Sequence, residues 1–141
     1  MLLHQLEAKK KTRSTVSWEK QIKQIENNEA FVVSARDNKE NLIGAALFTH
    51  SKQIGMYSVG AYKKRLFNKP IAHAIQMKAI ETFKKKGLNY YDIGGKFSYL
   101  EKKKRTAKEL SISHFKEGFA TFVLSQEHLL LNIKNLKNNF N

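Results

Sequence analysis

KPIAHAIQMKAIETFKKKGLNYYDIGG, residues 69–95, decides the fold. Ile71, Ile75, Ala79 and Phe83 recur every fourth residue, with Ala72, Ala74 and Ile80 beside them, so one face of a helix is apolar. Asn68 is placed to cap that helix, and Pro70 falls in its first turn, where a missing N–H costs nothing. Lys84, Lys85 and Lys86 sit in the last turn, where cations suit the helix dipole. Gly87 follows as the left-handed residue that ends helices. Residues 88–93 then read as a strand closed by Gly94-Gly95, a pair suited to positive φ or close backbone approach. A strand entered directly from such a helix usually lies parallel to the strand before it.

Upstream, the pattern is an antiparallel meander. Residues 31–36, 42–50 and 55–62 alternate or cluster apolar residues and are separated by the polar turns 37–41 and 51–53. Gly44, Ala45 and Ala46 make the second strand thin. Before the meander, Ser14 and Thr15 offer capping oxygens, and Trp18, Ile22 and Ile25 form a stripe over a helix at 16–27. Residues 1–13 are basic and carry no clear period. Downstream lie a basic loop at 96–108, a short helix at 109–116 closed by Gly118, and a further strand at 119–124. The order implies an α+β fold with a mixed sheet: a meander, a central crossover helix and C-terminal strands. Residues 1–128 are read as one domain. Residues 129–141 are a Lys/Asn-rich tail in which Leu129, Leu130, Leu131, Ile133 and Leu136 allow one more helical turn.

Composition narrows the function. The 141 residues carry 26 Lys and Arg against 12 Asp and Glu, a net charge of +14. Such a chain attracts polyanions: RNA, nucleotide phosphates, acyl carriers or anionic membrane. The absence of cysteine excludes disulfides, thiol nucleophiles, thiolate zinc sites and iron–sulfur clusters. No pair of histidines has zinc spacing, and no metal site is expected. No apolar run approaches the ~18 residues of a membrane span, so a cytoplasmic protein is expected, working in solution or at the inner membrane surface.

Three strings carry a resemblance: Lys11-Thr12-Arg13-Ser14 with Trp18 and Asn28-Glu29-Ala30-Phe31-Val32-Val33; Tyr90-Tyr91-Asp92-Ile93-Gly94-Gly95; and His114-Phe115-Lys116-Glu117-Gly118-Phe119. In this order they resemble the second GNAT-like domain of the Fem-type peptidyltransferases (FemABX), aminoacyl-tRNA-dependent enzymes of peptidoglycan cross-bridges, and of related acyltransferases. The resemblance spans roughly residues 4–125. It implies a GNAT-like fold and transfer of an acyl or aminoacyl group to an amine of a cell-envelope precursor, lipid-linked or small, or of a nucleotide-linked sugar. The donor would be aminoacyl-tRNA or acyl-CoA, with no cofactor held tightly. Two departures stand out. Fem-type proteins usually have two such domains, so a homodimer or partner domain would be needed to complete the cleft, and a non-catalytic binding or partner domain is the rival reading. The stretch from Lys64 to Ala72 lacks the glycines of an acetyltransferase phosphate loop.

The resemblance places Lys116 near the reacting carbonyl, where an ammonium stabilises an oxyanion. Asp92, at a strand end, is a candidate to orient an amine or take its proton, against a plain turn carboxylate. Gly94, Gly95 and Tyr91 belong to the same stretch. Arg13 and Arg65 are candidates to grip phosphate or carboxylate. Trp18 reads mainly as core. His50, His73 and His114 read as structural or exposed.

Overall fold

The computed structural model describes residues 2–9, 13–96 and 105–125. The elements are α1 (Leu2–Ala8), α2 (Thr15–Glu26), β1 (Ala30–Arg36), β2 (Leu42–His50), β3 (Ile54–Tyr62), α3 (Ile71–Lys85), β4 (Tyr90–Asp92) and α4 (Ala107–Glu117). The four strands form one sheet in the order β1-β2-β3-β4. The first three are antiparallel and β4 is parallel to β3. This is the mixed α+β sheet that the crossover segment predicts.

Alternation along the strands sorts side chains between two layers. Phe31, Ala46, Phe48 and Tyr57 face α3 and meet Ile75, Ala79 and Phe83 in the main core. Phe83 approaches so closely that a β-carbon on Gly55 would collide with its ring. Val32, Leu47 and Val59 face the opposite way, toward Trp18, Ile22 and Ile25 of α2. Here the packing is loose: no residue of α2 is fully buried, and Ile22 remains 54% exposed.

Most boundaries follow local chemistry. Ser14 caps α2, its Oγ accepting from Ser17 N–H at 3.2 Å. Gly87 adopts φ +75 after α3, as its place in the sequence requires. Three expectations are corrected. Asn68 does not cap α3: Pro70 itself holds that position, its carbonyl accepting the first helical bond from Ala74. Residues 88–89 are not strand. Leu88 N–H is spent on Phe83 O, and Asn89 and Tyr90 both donate to Gln53 O, so β4 begins only at Tyr90. Residues 119–124 form no strand either. Phe119 and Ala120 turn back to bond Lys116 O and Glu117 O, and Phe122, Val123 and Leu124 stay exposed. An apolar β-branched run becomes a strand only where a sheet edge receives it. Among the described residues β4 is therefore the single strand after α3.

Two features exceed the sequence reading. Residues 2–8 are helical, with Glu7 Oε2 accepting from Lys64 N–H at 3.1 Å. The last helix starts earlier than expected because Thr106 and Glu109 form a reciprocal capping box. The core of the basic loop, 97–104, and the tail from 126 lie outside the described residues.

Candidate active site

The site is built where the parallel pair comes apart. β3 pairs with β4 only through Ile54↔Tyr90, Gly55↔Tyr91 and Met56↔Asp92. Two residues later β3 carries a bulge: Leu47 opposes Val59 and Phe48 opposes Tyr57, leaving Ser58 as the extra residue. Ser58 Oγ is tied to Thr49 Oγ1 at 3.0 Å. A bulge bends its strand and increases local twist, so β3 continues to Tyr62 without β4. Because the two strands are parallel, the loops leaving them emerge at the same sheet edge.

At the end of β4 the chain turns tightly. Gly94 has φ +87, and its N–H donates to Asp92 Oδ1 at 2.6 Å. Asp92 thus spends one oxygen on the Gly-Gly turn, as a turn carboxylate does, and remains exposed. Lys116 reaches this turn from α4. Its Nζ donates to Gly95 O at 3.1 Å, and a β-carbon on Gly94 would lie 3.0 Å from Nζ. The neighbouring pair Lys96–Glu117, at 2.9 Å, is a second clasp between the turn and α4. That hydrogen bond from Lys96 holds the Glu117 carboxyl below its ordinary range. Phe115 and Phe119 flank Lys116 and pack on His73 with ring centroids 5.0 and 5.6 Å away. The string His114–Phe119 therefore fixes α4 to the first turns of α3 and leaves Lys116 half-buried at the glycine turn.

The other candidates are dispersed. Tyr91 is turned toward α3. Its side chain points into the α3 layer, where its hydroxyl donates to the amide oxygen of fully buried Gln76. Burial pushes the Tyr91 phenol up, as it does those of Tyr57 and Tyr62. These three strand tyrosines pack together against the α3 face of the core, as strand tyrosines mostly do. Gly60 makes room for them, since a β-carbon there would lie 2.8 Å from the Tyr62 hydroxyl. Arg13 stands 6.0 Å from the Trp18 ring, beside α2 rather than the glycine turn. Arg65 is exposed in a 3-10 turn, Lys64–Leu66. There the amides of Leu66, Phe67 and Lys69 bond carbonyls within the loop. The loop has no glycine, and Pro70 at the helix cap offers no N–H, so the backbone amides left for a phosphate are those of the first turn of α3.

Among the described residues no group of His, Asp and Glu could hold a metal ion, and no helix is long and apolar enough to cross a membrane. No family model matches the chain, and no curated protein matches it. Solved structures do. An aminoglycoside acetyltransferase from an uncultured soil metagenomic sample, crystallised with trehalose, superposes with a TM-score of 0.64 at 12% identity, over 94% of this chain and 84% of that one. An acetyltransferase of Trypanosoma brucei gives 0.58 at 14% identity, over 94% and 88%. A ribosomal-protein-alanine N-acetyltransferase of Brucella melitensis gives 0.58 at 12%, over 86% and 83%. The fold is that of the GNAT acetyltransferases.

Proposed function

We propose that the chain is an N-acyltransferase of the GNAT class, and that its acceptor is an amine of a cell-envelope precursor or nucleotide-linked sugar, as in the Fem-type proteins it resembles. One observation carries the reading: where β3 and β4 part, the Lys116 ammonium is fixed 3.1 Å from Gly95 O, above a tight glycine turn. Positioning plus a fixed charge is what direct acyl transfer requires.

In this mechanism the acceptor nitrogen attacks the carbonyl carbon of the donor. The carbonyl oxygen becomes an oxyanion, which Lys116 stabilises. Asp92 takes the proton shed by the nitrogen through the oxygen not spent on Gly94. Collapse of the intermediate forms the amide and expels the leaving group, a thiolate from acyl-CoA or a ribose oxyanion from aminoacyl-tRNA, which is then protonated. Donor phosphates meet the side chains of Lys63, Lys64 and Arg65.

The test is product detection by mass spectrometry with acyl-CoA and aminoacyl-tRNA donors against a panel of amines. Lys116→Met is expected to lower turnover at least tenfold with an unchanged melting temperature. A fully active variant would remove Lys116 from the mechanism. The rival is a non-catalytic partner or binding domain, favoured by the glycine-free loop and by the exposed run Phe122, Val123 and Leu124. A chain that is monomeric by light scattering and transfers from neither donor class would favour that rival.

A further inference from the structure

Gln76 is the one polar residue, among those described, with no exposed surface at all. It stands on α3 next to Ile75 and three residues before Ala79, both part of the main core. Half of its amide is used there. Oε1 accepts from the Tyr91 hydroxyl, while Nε2 has no hydrogen-bond partner among the described residues. Sealing an amide N–H in an apolar layer without a partner is unfavourable. An apolar side chain of the same length would avoid that cost, so stability gives no reason for a glutamine at this position.

What Oε1 holds gives a reason. β4 is short, Tyr90–Asp92, and among the described strands only β3 pairs with it. Tyr90 and Asp92 are exposed; Tyr91 is the side chain by which the strand enters the α3 layer. Its ring lies on Phe83 and Phe48, with centroids 5.2 and 6.4 Å away. Such apolar contacts are non-directional, whereas a hydrogen bond fixes both distance and direction. One residue past Tyr91 is Asp92, which accepts from Gly94, so any slip of β4 along α3 carries Asp92, Gly94 and Gly95 with it. Lys116 is referred to the same stretch of helix. His73, three residues before Gln76 and so its neighbour on α3, packs on Phe115 and Phe119, which flank Lys116. The two arms meet in the bond from Lys116 Nζ to Gly95 O.

We infer that Gln76 is a positioning residue for acyl transfer: through the Tyr91 hydroxyl it fixes β4 against α3, and so sets where Asp92 and the Gly94-Gly95 turn stand relative to the Lys116 ammonium. The inference rests on the transferase reading for its consequence in rate, but the positioning itself is a property of the fold. A misplacement of about 1 Å in a reacting group costs up to roughly a hundredfold in rate, so a buried bond that improves no packing still has a use.

The test is the double variant Gln76→Met with Tyr91→Phe in the full chain. Removing both partners of a buried bond together is nearly neutral for stability, and methionine adapts to the space the amide leaves. Its melting temperature is expected to be unchanged or higher. Amide hydrogen exchange, followed residue by residue by NMR, is expected to quicken about tenfold or more at Gly94, whose N–H bonds Asp92, and to stay unaltered in β1 and β2. Turnover is expected to fall about tenfold or more with KM within about twofold, because the donor's phosphates are met elsewhere. Tyr91→Phe alone, which deletes a single oxygen, is expected to change Gly94 in the same direction and keeps the test open should the double variant fail to fold. Unaltered exchange at Gly94, or equal loss of protection in β1 and β2, would overturn the inference. The exchange measurement needs no donor or acceptor, so a chain that transfers nothing yet loosens at Gly94 would sink the transferase reading alone.

Discussion

Gly94 and Lys116 constrain each other. At φ +87 an L-residue is disfavoured by roughly 1–2 kcal/mol, and the added β-carbon would sit 3.0 Å from the ammonium. Gly94→Ala is therefore expected to destabilise the fold by about that amount and to displace Lys116, lowering transfer more than Lys116→Arg does. Chemical denaturation and turnover measured on the same samples check both effects. The buried phenols give a second prediction. Burial keeps Tyr57, Tyr62 and Tyr91 protonated above their ordinary range, whereas in the unfolded chain they ionise near pH 10. Above that pH the unfolded state holds fewer protons, so stability falls as pH rises. The melting temperature is expected to drop from about pH 10 upward, and Tyr57→Phe with Tyr62→Phe to flatten the drop. The glycine pair that ends β4 was legible in the sequence, and Asp92 and Lys116 both bond to its backbone. Tyr91, beside Asp92 in the chain, is turned to the α3 layer by alternation along β4. Gln76 was not legible, since a glutamine on a helix gives no sign that it will be wholly buried.

At the scale of elements, legibility tracked how self-sufficient the local signal is. The meander and α3 combine period, turn chemistry and a terminal glycine, and each formed nearly where expected. The early helix Leu2–Ala8 has no such pattern; it is held by tertiary contacts, Glu7 on the Lys64 amide and His4 on Trp18. Segment 119–124 has strand composition, yet the decision belongs to a partner edge that the described residues do not supply. The start of α4 was readable from Thr106 and Glu109 as a capping box. Thr106 Oγ1 accepts from Glu109 N–H at 3.3 Å, and Glu109 Oε2 accepts from Thr106 N–H at 2.8 Å. Losing a capping side chain costs about 1 kcal/mol. Thr106→Ala is expected to destabilise the chain by about that much, and to speed hydrogen exchange in α4 while leaving β1–β3 unchanged. Uniform loss of protection across all elements would mean that α4 and the sheet unfold together.

Over the whole molecule, topology decides what +14 charges can do. Lys63, Lys64 and Arg65 follow β3, and Lys96 follows β4; parallel strands send both groups toward one edge, with β3 running on from Met56 to Tyr62 after the pairing ends. The bond from Lys64 N–H to Glu7 brings the end of α1 and Lys9 to that edge too. Lys116, held at Gly95, joins it from α4. Acid groups are present but engaged: Glu117 with Lys96, Glu109 with its cap, and Asp92 with Gly94. A concentration of one sign raises the encounter rate with a phosphate-bearing donor, and salt screens it, the Debye length falling from about 10 Å at 0.1 M to about 3 Å at 1 M. For an anionic donor kcat/KM is expected to fall about tenfold as salt rises across that range, with kcat nearly constant. Lys64→Glu with Arg65→Glu should flatten the salt dependence, because both lie on the shared edge. Lys20→Glu with Lys23→Glu makes the same change in net charge on the outer surface of α2 and should leave the slope near that of the unaltered chain. If the two double variants flattened it equally, overall charge rather than its placement by the parallel pair would govern capture of the donor.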